Sequence, residues 1–237
     1  MKKILILGSQ NGNELLGEAL YEYIRTNRQE LLPHISYLVG NIQAKRQGVR
    51  YVEADLNRSY TGKKTTYEER RAGSILAYIK KHAFELVLDM HTTTCEQPPC
   101  FIAHSLEGSA ARFLRASSIE KVVHMNHDIV KTSLIGVCPQ AVSIEVNKDS
   151  LDDRLLADLC DDLQRYVEGS AAHAEKHVYE VDDLLKKTEL SEKGAGELRN
   201  FQKSPYGFYP VLVGENSYKK QTAYLGFKAY ARVRSRV

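Results

Sequence analysis

The chain has 237 residues, a hydrophobic content of 43% and a formal net charge of +3 at pH 7. This length suffices for one large domain, or for a large domain with a small appendage. The nearly balanced charge argues against nucleic acid as the main partner, because nucleic-acid binders usually carry a concentrated basic face. No apolar run approaches the ~20 residues of a membrane helix, and the apolar part of MKKILILG is too short for a signal peptide. We therefore expect a cytoplasmic protein.

The first two-thirds of the chain alternates short apolar runs with apolar residues at helical spacing. Strands are predicted at residues 4–7, 34–40, 85–91, 121–125 and 141–146. Helices are predicted at residues 15–24, 69–82, 107–117 and 151–176. Strands separated by helices predict an α/β fold whose mixed, mostly parallel sheet is flanked by helices.

The composition of the sequence changes near Tyr179. Turn residues become frequent, and short strand-like runs appear, such as YPVLVG at 209–214. We predict two units, a catalytic domain over 1–178 and a small β-rich C-terminal unit over 179–237 that covers the active site.

Four cysteines are irregularly spaced, at Cys95, Cys100, Cys138 and Cys160. The pair in CEQPPC does not match the C-x-x-C of redox or zinc-ribbon sites. In a cytosolic chain we expect buried, reduced thiols. A redox or metal role for the first two is the alternative, because they follow His91 closely.

The segment QNGNE at 10–14 directly follows the first strand. Ligands of open α/β sheets bind beyond the carboxyl ends of strands, so this turn is well placed for a site. Its glycines do not fit the dinucleotide fingerprint G-x-G-x-x-G. Alone, the segment is better explained by Asn11 or Asn13 capping a helix that starts near Glu14.

The stretch VRYVEADLNRSY at 49–60 is unusually polar. Arg50, Asn57 and Arg58 suit carboxylate recognition, because a guanidinium binds a carboxylate in a bidentate fork. The alternative is a charged surface loop with a local ion pair between Asp55 and Arg58.

Two predicted strands end in polar residues. In LDMHTTT, Asp89 and His91 are two apart and point to the same side, where His91 could bind a metal or act as a base. In AVSIEV, Ser143 and Glu145 face away from the three aliphatic residues. A carboxylate inside such a strand is costly unless it is paired or lies in a cleft, so Glu145 is a general-base candidate. An edge strand or a structural salt bridge are the alternatives.

Taken in order, these segments resemble the aspartoacylase and succinylglutamate desuccinylase family, whose fold is similar to that of zinc carboxypeptidases. The family carries H-G-N-E, R-Y-x-x-x-D-L-N-R, Y-E-x-R-R-A, D-x-H-x-T-T, G/S-I-E-V and P-V-F-V-x-E-x-x-Y. The matching text here is NGNE, Arg50-Tyr51 with DLNR (55–58), YEERRA (67–72), DMHTTT (89–94), SIEV (143–146) and PVLVGENSY (210–218). The ordered set covers nearly the full chain and is far more specific than any single member.

The resemblance implies a zinc-dependent amidohydrolase that cleaves the amide bond of a small N-acyl amino acid. It implies that Glu14 and His91 are metal ligands and that one zinc ion is bound per chain. Dimers or tetramers are common among such relatives, so the resemblance allows a homo-oligomer but the sequence does not give the oligomeric state.

The resemblance also assigns roles to the remaining residues of the motifs. Arg50 would polarise the scissile carbonyl, and Asn57 and Arg58 would bind a substrate carboxylate. Tyr218 would close the pocket from the C-terminal unit. Glu145 would take a proton from the attacking water and later protonate the leaving amine.

Two departures from the family pattern are present. Asn11 stands where the family has its first histidine ligand, and an amide oxygen is a poor ligand for zinc. The stretch KTSLIGVCPQAV before SIEV has Lys131 in place of the arginine that grips a second substrate carboxylate. Two alternatives therefore stay open: a hydrolase that uses another divalent metal such as Mn²⁺ or Mg²⁺, and a metal-free pseudoenzyme that binds a small carboxylate.

Overall fold

A computed structural model describes residues 2–172 and 174–232. Its strands are β1 (Ile4–Gly8), β2 (Ile35–Val39), β3 (Leu86–Thr93), β4 (Cys100–Ala103), β5 (Lys121–Met125), β6 (Ala141–Asn147), β7 (His177–Lys186), β8 (Tyr209–Val211) and β9 (Tyr224–Arg232). Its helices are α1 (Leu16–Asn27), α2 (Ile42–Gln47), α3 (Tyr67–His82), α4 (Gly108–Ala116), α5 (His127–Val130), α6 (Leu134–Val137), α7 (Asp153–Glu168), α8 (Glu192–Gly196) and α9 (Asn216–Gln221). Short 3-10 turns occupy Gln29–His34, Leu56–Arg58 and Lys148–Ser150.

The nine strands form one sheet in the order β2-β1-β3-β6-β4-β5-β7-β9-β8. Strands β2, β1, β3 and β6 are mutually parallel, and β4 and β5 are parallel to β7. The pairs β4–β6, β7–β9 and β8–β9 are antiparallel. The predicted mixed, mostly parallel α/β sheet is therefore confirmed.

The central strands are apolar on both sides because helices cover both faces of the sheet. In β1, Leu5 and Leu7 contribute to one buried cluster, while Ile4 and Ile6 contribute to the cluster on the opposite face. The second cluster includes the buried face of α7, whose Leu159 and the other apolar residues of that face pack beneath the sheet. The two clusters together hold the strand ends in fixed positions.

Local chemistry explains where the helices begin and end. Helix α3 starts at Tyr67 because Thr66 and Glu69 form a capping box, two residues before the predicted start. The predicted helix over 151–176 was too long, since α7 ends at Glu168. Gly169 adopts a left-handed conformation at φ +79° and terminates it. His173, inside the predicted range, lies outside the described residues.

The C-terminal strands extend the same sheet. Strand β7 pairs with β5 on one side and β9 on the other. The predicted strand over 209–214 is shorter than expected, because Leu212 at φ +56° turns the chain after Val211. The division into units at residue 179 stays a prediction. Within the described ranges, no helix combines the length and apolar composition needed to cross a bilayer.

Candidate active site

All eight residues singled out in the sequence line one cavity of about 90 Å³ at one end of the central strands. They are Asn11, Glu14, Arg50, Asn57, Arg58, His91, Glu145 and Tyr218. They lie on the turn after β1, on the loop that leads into the 56–58 turn and on that turn itself, at the ends of β3 and β6, and on helix α9. The residues are brought together as expected, and the roles assigned to them stay predictions.

The turn after β1 places Asn11 beside Glu14. The Asn11 amide donates from Nδ2 to Glu14 Oε1 at 2.7 Å. Its Oδ1 is buried and has no hydrogen-bond partner among the described residues. The alternative in which Asn11 or Asn13 caps the first helix is wrong, because α1 begins after Leu15, which has no side-chain cap.

Gly12 lets this turn pack directly against the backbone of helix α2 and of the loop that follows it. Its amide donates to the Arg50 carbonyl at 3.0 Å. A Cβ at position 12 would lie 2.2 Å from the Ala44 carbonyl carbon and 2.3 Å from the Lys45 nitrogen, closer than atoms can approach. Only glycine therefore allows the turn after β1 to pack this closely against helix α2.

His91 is held between two carboxylates. Its Nδ1 lies 2.8 Å from Glu14 Oε2, and its Nε2 lies 3.0 Å from Asp89 Oδ2. Asp89 is fully buried and also accepts from Gln10 Nε2 at 2.5 Å and from Ser143 Oγ at 2.9 Å. Burial by itself lowers the pKa of His91, but the neighbouring Asp89 and Glu14 raise it well above its ordinary value. The ring is thus fixed with Nδ1 directed towards Glu14.

Arg50 is fixed by the acidic groups around it. Its Nη2 lies 3.1 Å from Asp55 Oδ2, and its Nη1 lies 3.5 Å from Glu14 Oε1. The other oxygen of Asp55 accepts from the Asn57 amide at 2.9 Å, which starts the 56–58 turn. One carboxylate therefore positions both Arg50 and the turn that carries Asn57.

Arg58 reaches across to the C-terminal part of the chain. It is exposed at the cavity mouth, and its Nη2 donates to the Tyr224 hydroxyl at 2.7 Å. The alternative of a local Asp55–Arg58 ion pair is wrong, since Asp55 pairs with Arg50 instead. The Arg58 guanidinium is therefore available to a ligand that enters from solvent.

Glu145 lies beside His91 across the β3–β6 pairing. It lines the cavity on β6, which lies between β3 and β4 in the sheet, so the edge-strand alternative is wrong. Among the described residues, it forms no ion pair that would support the salt-bridge alternative. Burial raises the pKa of Glu145 to about 8. Glu14, Asp89 and Glu215 add to the shift, while His91 opposes it. A carboxyl group with this pKa can hold or release a proton near neutral pH.

Glu215 joins the segment before α9 to the end of β3. Its Oε2 accepts from Thr93 Oγ1 at 2.8 Å and from the amide and hydroxyl of Thr94 at 2.7 and 2.9 Å. The next helix turn then places Tyr218, which is buried and packs edge-on against Tyr224 with ring centroids 4.9 Å apart. These contacts form the C-terminal wall of the cavity.

Several residues that shape the site were not given a role from the sequence. Glu68 accepts from the amides of Val52 and Ala54 at 2.8 and 3.1 Å and so supports the loop that carries Arg50. Glu68 and Glu215 both lie inside quoted motifs, so the signal was present. No sequence signal indicates that Tyr224 meets Arg58, because 166 residues separate them.

The four cysteines are free and buried, as expected for reduced thiols. Burial raises the pKa of Cys95 to about 12 and that of Cys100 well above its ordinary value. Little thiolate is present at neutral pH under these conditions, which argues against the redox alternative for this pair.

The donor atoms around Asn11 fit a divalent cation. Glu14 and His91 supply a carboxylate and an imidazole nitrogen, and the buried, unpaired Oδ1 of Asn11 is available as a third donor. In the described ranges, no group of three or more His, Cys, Asp or Glu side chains could hold a metal ion. The amide oxygen therefore makes this set weaker for zinc than three charged or imidazole ligands would be.

The family model of the succinylglutamate desuccinylase/aspartoacylase catalytic domain matches residues 1–174. A probable aspartoacylase from Prochlorococcus marinus subsp. pastoris is 32% identical over 104 residues, which are 40% of this chain and 34% of that protein. A rat N-acyl-aromatic-L-amino acid amidohydrolase (carboxylate-forming) is 31% identical over 116 residues, covering 43% of this chain and 36% of the rat protein. The chain thus matches about a third of the length of these curated relatives.

Solved structures share the fold over nearly the whole chain. The crystal structure of murine aminoacylase 3 superposes with a TM-score of 0.73 at 20% identity and covers 99% of this chain and 96% of its own. Succinylglutamate desuccinylase from Chromobacterium violaceum gives a TM-score of 0.71 at 16% identity, covering 98% and 85%. These likenesses confirm the expected zinc carboxypeptidase-like architecture.

Proposed function

Because this chain belongs to the succinylglutamate desuccinylase/aspartoacylase family, we propose that it is a metal-dependent hydrolase that cleaves the amide bond of a small N-acyl amino acid. The observation that carries the proposal is Glu145. Its carboxyl group lines the cavity on the strand next to His91, and burial raises its pKa towards the neutral range. A general acid–base residue works best when its pKa lies near the working pH.

The substrate is bound and oriented at the cavity mouth. Arg58 is exposed and donates through Nη2 to the Tyr224 hydroxyl. It would grip the substrate carboxylate in its guanidinium fork. Asn57 would add an amide donor beside it. Arg50, already fixed by Asp55 and Glu14, would donate to the scissile carbonyl oxygen as negative charge develops there.

The proton passes through one carboxyl group. Glu145 would take a proton from the attacking water and return it to the nitrogen of the leaving amine. Tyr218 and Glu215 close the C-terminal side of the cavity, which limits the access of bulk water to this transfer.

Asn11, Glu14 and His91 would hold the divalent cation, with zinc as the first candidate and Mn²⁺ or Mg²⁺ as the alternatives. The cation would act as a Lewis acid and supply a nucleophile at neutral pH. Asp89 supports this arrangement, because it accepts from Nε2 of His91 and leaves Nδ1 directed towards Glu14.

A metal-free carboxylate-binding protein is the second candidate. It is favoured by the hydrogen bond from Asn11 Nδ2 to Glu14 Oε1, which satisfies that carboxylate oxygen with an amide group in place of a metal. On this alternative, ligand binding depends on Arg58 and is indifferent to a chelator.

The deciding experiment combines metal analysis with the variant Glu145→Gln. Protein purified without chelator or affinity metal is assayed on N-acetyl amino acids before and after dialysis against a chelator. Glu145→Gln should lower kcat by a factor of about 10²–10⁴ because the proton carrier is lost, with ligand binding retained. The exposed Glu96→Gln serves as the matched control.

Hydrolysis that is unchanged in Glu145→Gln would rule out the mechanism. If no compound is hydrolysed and ligand binding survives the chelator, the metal-free carboxylate binder is supported instead.

A further inference from the structure

We propose that the ligand of this cavity carries a single carboxylate and that its second arm is apolar. The inference rests on the proposed function only in that it concerns the same site. It is argued from how polar and apolar side chains are distributed around the cavity.

The two halves of the sheet present different chemistry to the cavity. On β3 and β6, the side chains that face it are polar and include His91, Ser143 and Glu145. On the next two strands the side chains that line the cavity are apolar. Ile102 on β4 pairs with Ser143 on β6, and Met125 on β5 also lines the cavity. The cavity therefore has a polar half and an apolar half.

Helices and a distant strand complete the apolar half. Six side chains line it and are called here the apolar wall: Ile102, Met125, Ile129, Val130, Ile135 and Phe227. They come from β4, β5, β9 and the two short helices α5 and α6. None of these six side chains carries a hydrogen-bond donor. Ser133, which lies between Val130 and Ile135 in the chain and also lines the cavity, donates its hydroxyl to the Val130 carbonyl at 2.7 Å.

Few positively charged side chains line the cavity, and they differ in how accessible they are to a ligand. Among the described lining residues, the cations are Arg50 and Arg58. Arg50 is engaged by Asp55 and Glu14, whereas Arg58 is exposed and contacts a tyrosine hydroxyl. Arg58 is consequently the group that can accept one carboxylate from a ligand.

Acidic groups make a second ligand carboxylate more unfavourable still. Four carboxyl groups line the cavity: Glu14, Asp55, Glu145 and Glu215. Lys131 is not among the lining residues. It directly follows α5, and its Nζ lies 3.7 Å from Asp128 Oδ1, with both side chains exposed. A dicarboxylate would place its second charge against the apolar wall without a partner, which is strongly disfavoured.

The expected preference for apolar over acidic ligands can be estimated from the behaviour of apolar pockets in general. One methylene group in an apolar pocket changes specificity about 10–200-fold. An unpaired carboxylate is more costly than a missing methylene, so we expect at least about 10²-fold preference for apolar over acidic ligands.

The test compares N-acetyl-methionine and N-acetyl-leucine with N-acetyl-aspartate and N-acetyl-glutamate. Initial rates give kcat/KM for each compound on the wild type with added Zn²⁺ or Mn²⁺. Calorimetric titration of Glu145→Gln with the same compounds measures affinity independently of turnover. Both measurements should favour the apolar compounds by at least about 10²-fold.

A cation placed in the apolar wall should reverse this preference. Met125→Lys should narrow the difference in affinity between N-acetyl-aspartate and N-acetyl-methionine by at least about tenfold, whereas Met125→Leu, which keeps the position apolar, should still prefer N-acetyl-methionine. Because Met125 is 2% exposed, Ile129→Lys on the half-buried side of α5 is the second variant if the first does not fold.

The outcomes separate this inference from the proposed function. Selective binding of the apolar compounds without hydrolysis would support the inference and count against the deacylase. Hydrolysis with equal or better use of the acidic compounds would overturn the inference and support the deacylase. Binding of neither class would overturn both.

Discussion

On the proposed function, Asn11 would set how firmly the site holds a metal ion. Its amide occupies the place of the family's first histidine ligand, donates to Glu14 from Nδ2 and leaves Oδ1 unpaired in a buried position. A neutral oxygen donor binds zinc less strongly than an imidazole nitrogen. On the proposed function, the amide at position 11 would therefore make the metal site weaker than a histidine would.

Asn11→His should raise the affinity of the protein for zinc. We expect a gain of more than ~10–100-fold, the range caused by changes in second-shell partners, because a ligand itself is replaced. Competition titration against a chromogenic chelator measures it. Asn13→His, at an exposed position of the same turn, is the matched control. Equal zinc affinity in the wild type and the Asn11 variant would show that position 11 is not a ligand.

At the scale of single residues, the sequence predicted which side chains meet but not how they pair. Asp89 and His91 share a side because they are two apart on a strand, and the structure has them 3.0 Å apart. The partner of Arg58 could not be predicted, because Tyr224 reaches it only after the C-terminal strands have folded back. Pairing across such distances depends on the tertiary fold.

At the scale of elements, α3 supports the loop that carries Arg50 through one buried side chain, Glu68. Glu68 is fully buried and accepts hydrogen bonds from the amides of Val52, Glu53 and Ala54 and from Asn41. Burial alone raises the pKa of Glu68, but these donors lower it below the ordinary value. The ionised carboxylate is therefore the form that organises the loop.

Glu68→Gln should destabilise the protein and loosen the loop that carries Arg50. An amide has one acceptor oxygen for these donors, so at least one buried amide loses its partner at a cost of ~1–3 kcal/mol. For a chain of this size, that corresponds to a fall in Tm of roughly 2–4 °C per kcal/mol. Differential scanning calorimetry and KM for the best substrate measure both effects.

The control for this prediction is Glu96→Gln, an exposed change of the same kind. A Tm equal to that of the wild type in Glu68→Gln would show that the loop does not depend on this carboxylate.

Elements were predicted better than their ends. Apolar periodicity placed β1, β3, β6 and α3 within a few residues, because burial on a sheet face or helix face leaves a repeating pattern. The end of α7 was missed because Gly169 acts through its backbone conformation and was followed by further helix-forming residues. The short strand β8 ends at a positive φ, which residue type alone did not indicate for Leu212.

At the scale of the whole molecule, buried thiols on both sides of the sheet couple stability to alkaline pH. Burial raises the pKa of Cys95, Cys138 and Cys160 from 9.0 to about 12, and it also raises the pKa of Cys100 well above its ordinary value. In the unfolded chain these thiols ionise near pH 9, whereas in the folded chain they keep their protons. The folded state then binds more protons, so stability falls as pH rises above 9.

The free energy of unfolding should fall by ~1.4 kcal/mol per pH unit for each of these thiols between pH 9 and 12. Lys176 acts oppositely, since burial lowers its pKa from 10.5 to about 8 and stability gains between those values. One lysine does not offset four thiols. Urea denaturation at pH 8, 9 and 10 measures the slope, and Cys160→Ala should make it shallower by the contribution of one thiol. The same slope in wild type and variant would contradict the assignment.

The fold class followed from alternating strands and helices, but the sheet order did not. Strand β4 inserts antiparallel between β6 and β5, and nothing in the sequence of CFIA distinguishes it from a parallel neighbour. The contact of the C-terminal strands with β5 was also not evident from local pattern. The predicted division near 179 lies close to the end of the family match at 174 and stays a prediction.

The close approach at Gly12 has a thermodynamic consequence for any ligand. The Gly12 amide donates to the Arg50 carbonyl, and its α-carbon lies so close to the backbone of Ala44 and Lys45 that no side chain fits between them. The turn bearing Asn11 and Glu14 is thereby joined to the loop bearing Arg50, so the two cannot fluctuate independently. Most of the conformational entropy of these segments is lost when the chain folds, and little remains to be lost on binding. A small ligand with few contacts can therefore be held by a site that is already ordered.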